Sequence, residues 1–558
     1  MPPSLSDLLV TDDTTILLGL IAATVFLLNN LYKPQPLVHP ILLGRQSDVA
    51  RVRNPGESSV YRNYGTGLMG RFPLRPAKDV HILADMLKPD SDAPRTLWST
   101  KISNPQLQDR VAAFGTGLLR LAGLEVGESS VLLLLNDCVE FIIADLALAS
   151  HSIPSFTIAA SNLMSPVLES HSPSAIITHA SMLPQILEFI YDAGEANRNH
   201  TIIVVGEPSS QAMATVASKV RVLKWSDVER EGVRVEKIIS PLPKPNDVFT
   251  VSFFSESGHI QGAQLTHENL TAGVAAVRAL LPLSHAFSQL DTIVSAHYMG
   301  TAYGRAIAYT ALFEGTSFAT LESSKLFHAD DYTPQINVAD ALSSKVYPIP
   351  SPTIAFIKPG HLHTLVDAIL KEARKRLLLF PFAWRHKLAG ISEGFMTKES
   401  LWDRLVFDTA RSRAAGDGSG ALRAVVVSGG PLPAKALTPS RVALSVPIIN
   451  CFSHPLVAGP VLASHALDLQ DLSTENVLET AHTGPPSINV EGKLVGVEDE
   501  AVESGGDPAG VLTVRGPSVG KLTSMESSYV SIPSGEDEGW VGMGVRATIL
   551  TNGAFLLS

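Results

Sequence analysis

From Trp98 onward, short continuous apolar runs alternate with stretches of helical spacing, and this alternation restricts the fold more than any other feature. The apolar runs lie at 131–135, 153–158, 175–178, 201–205, 248–254, 424–427 and 446–450. Such runs suit strands covered on both faces, as in a parallel sheet. Between them, Leu107, Val111, Phe114 and Leu118 recur at helical spacing over 102–121. A second helix is predicted over 139–149, with Asn136 and Asp137 placed to cap it. The pattern predicts an α/β fold of parallel sheets flanked by helices. After Thr483 the texture changes to short strands and turns at 487–497, 510–515 and 548–556, which predicts a smaller β-rich subdomain.

One segment stands apart. Residues 14–32 carry no charge, and 16–28 are almost wholly apolar. That length is near the ~20 residues a helix needs to cross a bilayer, so a transmembrane helix is expected. Acidic residues precede it (Asp7, Asp12, Asp13) and basic ones follow (Lys33, Arg45, Arg51, Arg53), which puts the main domain in the cytosol. A cleaved signal peptide wants a basic start, and a buried core helix wants a polar face; both rivals fit less well. The expected organisation is a tail over 1–13, a membrane anchor over 14–32, and a linker with few regular elements over 33–95. The α/β domain follows over 96–480 and the small β-rich subdomain over 481–558. A formal net charge of −11 with no basic stripe excludes nucleic acid as a partner. Two cysteines, Cys138 and Cys451, form no disulfide framework.

Several strings then fall in a telling order. "LLRLAGLEVGESSVLLLLNDCVEFIIADLALASHSIPSFTI" is followed by "SGHIQGAQLTHENL", "AHYMGTAYGRAIAYTALFEG", "LWDRLVFDTARSRAAG", "LRAVVVSGGPLP" and "AHTGPPSINVEGKLV". Together they resemble the adenylate-forming (AMP-binding) superfamily, in its long-chain fatty acyl-CoA synthetase branch. The resemblance covers most of the chain from Trp98 to Ser558. It implies an adenylate-forming fold and, in an active member, use of ATP, magnesium and coenzyme A on a fatty acid.

The positions that the resemblance assigns to ATP hold unusual residues. The phosphate loop of the family reads Tyr-Thr-Ser-Gly-Thr-Thr-Gly-x-Pro-Lys-Gly. Without gaps it falls on 252–262, where Ser257, Gly258 and Gly262 are kept. The lysine position is Gln261, and a phosphate-contacting threonine is Glu256. A carboxylate ~4 Å from a phosphate repels it by several kcal/mol at an effective dielectric near 20. Phe253 and Phe254 stand where small polar residues were. The plain alternative is a turn between a strand and a helix. "QLTHENL" is intact, and Thr266 and Asn269 are placed to cap the helix after it. Gly429 and Gly430 match a second nucleotide-side turn. The adenine and magnesium motif Gly-Tyr-Gly-x-Thr-Glu falls on 451–456, with Phe452 at the aromatic position and Leu456 at the glutamate. Leucine cannot ligate a hard cation. Phe452 is open to ring stacking or to core packing. The ribose motif keeps Gly539, Trp540 and Gly544, but its aspartate is Val545.

In the family a mobile lid domain with a lysine follows the small subdomain; the sequence stops at Ser558, and a lidless chain is expected. The functional expectation is a membrane-anchored long-chain acyl-CoA synthetase-like protein with impaired catalysis, a scaffold or acyl-binding role, and no retained catalytic residue. The alternative is an active ATP-dependent fatty acid–CoA ligase with an atypical nucleotide site; ATP, magnesium and CoA enter only in that case. Membrane lipid and fatty acid or acyl-CoA are the expected partners. The endoplasmic reticulum is the first expected location, with lipid droplet and peroxisome as alternatives. No metal site is expected: His361 and His363 read as capping or exposed histidines, and Cys138 as a small buried residue.

Overall fold

The computed structural model describes residues 13–31, 43–66, 71–88, 93–192, 200–216, 219–327, 342, 346–469, 479–524 and 539–558. In chain order the strands begin with β1 (Ser47–Arg51), β2 (Val60–Asn63), β3 (Arg95–Leu97), β4 (Thr100–Ile102), β5 (Val131–Leu134), β6 (Ser155–Ile158), β7 (Ala175–His179) and β8 (His200–Val205). They continue with β9 (Val220–Lys224), β10 (Val248–Glu256), β11 (His259–Thr266), β12 (Thr292–Ser295), β13 (Ser317–Thr320), β14 (Ile354–Ile357), β15 (Ala424–Val427) and β16 (Ile448–Phe452). The last are β17 (Leu462–Ala463), β18 (Glu491–Val495), β19 (Ala509–Arg515), β20 (Lys521–Ser524), β21 (Val541–Ile549) and β22 (Phe555–Leu557).

Among the described residues two sheets have eight strands each, ordered β20-β11-β10-β6-β5-β7-β8-β9 and β17-β16-β15-β14-β12-β13-β3-β4. Their centres are parallel, as the apolar runs require. β5, β14 and β15 are buried at every position, because helices cover both faces. The main core joins one face of the first sheet to the second sheet through the helices Asn104–Ala122, Val139–Ser150, His267–Arg278 and Ala302–Glu314. A second cluster covers the other face of the first sheet. Inside the main core, Arg305 pairs with Asp145 at 3.0 Å, and the Tyr309 hydroxyl donates to the same carboxylate. Each charge is hydrogen-bonded, the condition under which a buried pair is tolerated.

The third sheet has the order β1-β2-β18-β19-β21-β22 and its own apolar core around Leu494, Leu512, Val514 and Phe555. The segment read as a linker therefore contributes two strands, β1 and β2, to the small β-rich sheet.

Two other expectations need correction. The helix Asp13–Leu31 forms, but among the described residues no helix is long and apolar enough to cross a membrane, so the expected transmembrane helix over 14–32 is not supported. The apolar centre, 16–28, reaches about 20 Å along a helix axis, short of the ~30 Å hydrocarbon core. Its flanks are Asp13, Thr14 and Thr15 on one side and Asn29 and Asn30 on the other. The residues 1–12 and 32–42 of the expected tail, anchor end and linker lie outside the described residues. The helix Val139–Ser150 has Cys138 at its N-cap, with no side-chain capping bond. Asn136 and Asp137 are engaged elsewhere: Asn136 Nδ2 donates to the Phe327 carbonyl, and Asp137 accepts from Met299 N–H and Ser324 Oγ.

Candidate functional site

The segment matched to a phosphate loop is a closed β-hairpin. β10 and β11 pair antiparallel from Val248↔Thr266 to Glu256↔His259, including Phe253↔Gly262 and Phe254↔Gln261. Only Ser257 and Gly258 remain at the turn, with φ of 50° and 83°. Positive φ at both central residues is the mark of a tight primed hairpin turn, and Gly258 meets it without strain. The ladder commits the cross-strand half of the backbone N–H groups up to the tip, so these are not free to converge on an anion. β20 pairs along β11 on the outer side, with Gln261 opposite Ser524. The amide oxygen of Gln261 is buried without a hydrogen-bond partner.

The alternation of a strand sends the two aromatics to opposite faces. Phe253 packs edge-on to Phe156 and against His171, at ring separations of 5.7 and 4.9 Å. Phe254 turns the other way and forms a small apolar cluster with Ala263 and Leu456. Leu456, at the position matched to a magnesium-binding glutamate, is buried in that cluster.

His454 closes the group. Its Nδ1 accepts from Leu456 N–H, which leaves Nε2 to carry the proton in the neutral ring. That nitrogen faces Glu256 Oε1 at 3.6 Å. Burial pulls the imidazole pKa down, outweighing the opposing pull of Glu256. Glu256 also rests on the backbone of Gly544, where a Cβ would collide with Oε1. The next residue, Val545, packs at the edge of the small-sheet core. Thus positions from all three matched motifs (Glu256, His454 with Leu456, and Gly544) touch one another. The residues present do not fit magnesium: the group holds a single carboxylate, Glu256, which faces His454 at 3.6 Å, and Leu456 offers no oxygen. Phe452 ends β16 opposite Leu462 and packs on the small-sheet core, the ordinary packing role. Trp540 lies beneath Lys493 and Arg515, each 4.8 Å from its ring centre.

Thr266 does what its sequence position suggests. Its hydroxyl accepts from Asn269 N–H, and Asn269 Oδ1 accepts from Thr266 N–H, a reciprocal cap on the helix His267–Arg278. Gly262 sits in mid-strand against Val251 and Phe253.

Gly429 and Gly430 belong to a different corner, after β15, with φ of 85° and 157°. Gly429 lets the chain pass close to His297 and Lys358. His297 Nε2 is hydrogen-bonded to Ser428 Oγ at 2.9 Å, and its ring meets Tyr303 edge-on at 4.9 Å. Burial, with lesser pushes from Lys358 and His361, drives the His297 pKa down to about 3, so it is neutral. The Tyr303 hydroxyl is buried without a well-formed hydrogen bond. His297 and Tyr303 are not among the residues the sequence singles out; their only trace there is that His297, Tyr298, Tyr303 and Tyr309 put four polar rings into one largely apolar string, 296–315. The corner is tied to the hairpin, since Ser252 Oγ and Thr157 Oγ1 both donate to the Gly300 carbonyl.

His361 is a buried capping residue, its Nδ1 accepting from Lys358 N–H, while His363 is exposed beside Asp367. Cys138 is half-buried, and burial pushes its thiol pKa well up.

Comparison with known proteins places these observations. The family described as AMP-binding enzyme matches residues 88–522. Long-chain-fatty-acid–CoA ligase 5 of Mus musculus is 24% identical over 367 residues, 64% of this chain and 50% of that protein. Long-chain-fatty-acid–CoA ligase 6 of Homo sapiens is 23% identical, over 79% of this chain and 60% of that protein. The chain thus spans about half the length of the curated relatives it matches. Among solved structures, a long-chain-fatty-acid–CoA ligase (FadD1) from Archaeoglobus fulgidus superposes with a TM-score of 0.57 at 14% identity, over 87% of this chain and 85% of that one. An anthranilate CoA ligase with bound anthranoyl-AMP gives 0.59 at 15% identity, over 87% and 78%.

Proposed function

Because the chain belongs to the AMP-binding enzyme family, we propose that it is a long-chain acyl-CoA ligase-like protein that no longer handles ATP and instead holds fatty acid or acyl-CoA. One observation carries this reading: Glu256, His454 and Gly544, drawn from three separate motifs, meet each other where a nucleotide would need open space. The zipped hairpin beneath them supports it, because its cross-strand backbone donors are already used. A membrane location, the endoplasmic reticulum first, belongs to the same proposal. It draws on the exposed apolar side chains of the Asp13–Leu31 helix, such as Leu17, Leu18 and Phe26, which favour contact with lipid over water.

A second reading, an active fatty acid–CoA ligase with an atypical nucleotide site, draws on the corner at Gly429. There His297 and the Tyr303 hydroxyl are buried polar groups able to meet a carboxylate. Calorimetric titration of the purified full chain with ATP, with and without Mg²⁺, separates the two. The first reading expects no ATP binding in the micromolar range, with retained binding of a long-chain fatty acid or its CoA ester. Micromolar ATP binding, or fatty acid-dependent exchange of pyrophosphate into ATP, overturns it.

A further inference from the structure

Residues 371–413 carry ten Lys and Arg against five Asp and Glu, in a chain whose formal net charge is −11. The same stretch holds a concentrated group of exposed large apolar side chains. Leu377 and Leu378, 81% and 84% exposed, form the turn between the helices Pro359–Arg374 and Phe380–Ser392. Phe382, 60% exposed, begins the second of these helices. Its ring stacks over Trp402 at 6.3 Å with an interplanar angle of 14°. That contact brings in the helical segment around Trp402, where Leu401 and Leu405 are also exposed. The turn and this neighbouring helical segment therefore present one apolar tip. Arg374, Lys375 and Arg376 stand on one side of it in sequence, and Arg385 and Arg404, all exposed, on the other.

Scattered single leucines on a surface mean little, but an apolar tip of adjoining residues marks an interaction site. The charge decides among the candidates. A cationic rim around leucines and stacked aromatics matches a bilayer surface: the apolar tip enters the headgroup boundary while the cations meet anionic lipid. Trp402, half-buried beneath Phe382, is the residue type that settles at that boundary.

We infer that the segments 374–382 and 401–405 dock the protein onto an anionic lipid surface. This contact is separate from the Asp13–Leu31 helix and does not rest on the reading of the nucleotide positions.

The test uses the full chain with an environment-sensitive fluorophore on a cysteine placed by Leu378→Cys. Leu290→Cys, at another highly exposed leucine, is the control, and the unsubstituted chain corrects for labelling of Cys138 and Cys451. With vesicles of phosphatidylcholine and phosphatidylserine mixed three to one, emission at position 378 shifts to the blue; high salt reverses the shift, and position 290 stays unchanged. Adding R374E, K375E and R376E raises the lipid concentration at half-shift by roughly a hundredfold. No shift at position 378, or an equal shift at 290, overturns the proposal. So does a shift that needs no vesicles and grows with protein concentration, which would mean that a second copy covers the tip.

Discussion

The imidazole of His454 and the carboxylate of Glu256 face each other at 3.6 Å across 198 residues of chain, with the histidine tautomer fixed from behind by the Leu456 amide. Glu256 is thereby held over Gly544, whose φ of +63° already disfavours a side chain. Gly544→Ala should cost about 1–2 kcal/mol from backbone strain alone, with more from displacing the carboxylate. Glu256→Ala in the same chain should return only the second part. Urea unfolding of the single and double variants measures both. A double variant no better than Gly544→Ala would mean that Glu256 moves aside freely.

Restoring charge should not restore the nucleotide. The paired variant Glu256→Thr with Gln261→Lys removes the repelling carboxylate and adds a cation. Yet β10 and β11 stay zipped to Ser257 and Gly258, so the cross-strand backbone donors remain committed. Titration with MgATP is expected to show no micromolar binding. A clear binding isotherm would show that charge, and not the closed hairpin, was the barrier.

Phe254→Ala should destabilise the fold by ~3–5 kcal/mol, the usual cost of emptying a buried aromatic site. Phe254 is buried against Leu456 and Ala263 in a cluster with few other members, so little can collapse into the gap. Denaturant unfolding gives the number; a loss below ~1 kcal/mol would mean that the cluster does not hold the hairpin down.

Asp137 gives a pH signature. Burial raises its pKa to about 7, against the lowering effect of its bonds from Met299, Ser324 and Thr320. The folded value lies above the unfolded one, so the fold favours the protonated acid. Its contribution is complete below about pH 4 and is lost as pH rises toward 7, a total on the order of 4 kcal/mol. Asp137→Asn does not titrate. The stability of the wild type minus that of this variant should fall across that window and level off above it. Parallel pH profiles would remove Asp137 from the account.

Much of the α/β framework is legible in the sequence because parallel strands buried on both faces write themselves as unbroken apolar runs. The runs at 131–135 and 424–427 return as β5 and β15 within a residue. β1 leaves no such trace: Ser47–Arg51 is exposed at four of its five positions, so nothing in its composition demands a strand. Asp137 was a sound cap candidate by position, but the amide of Met299, 162 residues away, and the Ser324 hydroxyl claim its carboxylate. The hairpin was half legible. Phe253 and Phe254 mark a strand that needs two apolar faces, whereas the meeting of Glu256 with His454 depends on how two sheets are set side by side.

The small sheet has a consequence for biosynthesis. β2 pairs with β18, and Arg62 forms an ion pair with Glu491, 429 residues later; Ser47 Oγ donates to the Gly553 carbonyl. β1 and β2 therefore wait, edges open, while the ribosome builds everything between. At ~5–20 residues per second that interval is tens of seconds. During it, β1 and β2 have no partners but each other, and a two-stranded ribbon is marginal in water. Chaperone dependence and misassembly should concentrate in this sheet, far from the apolar strands that fold as neighbours.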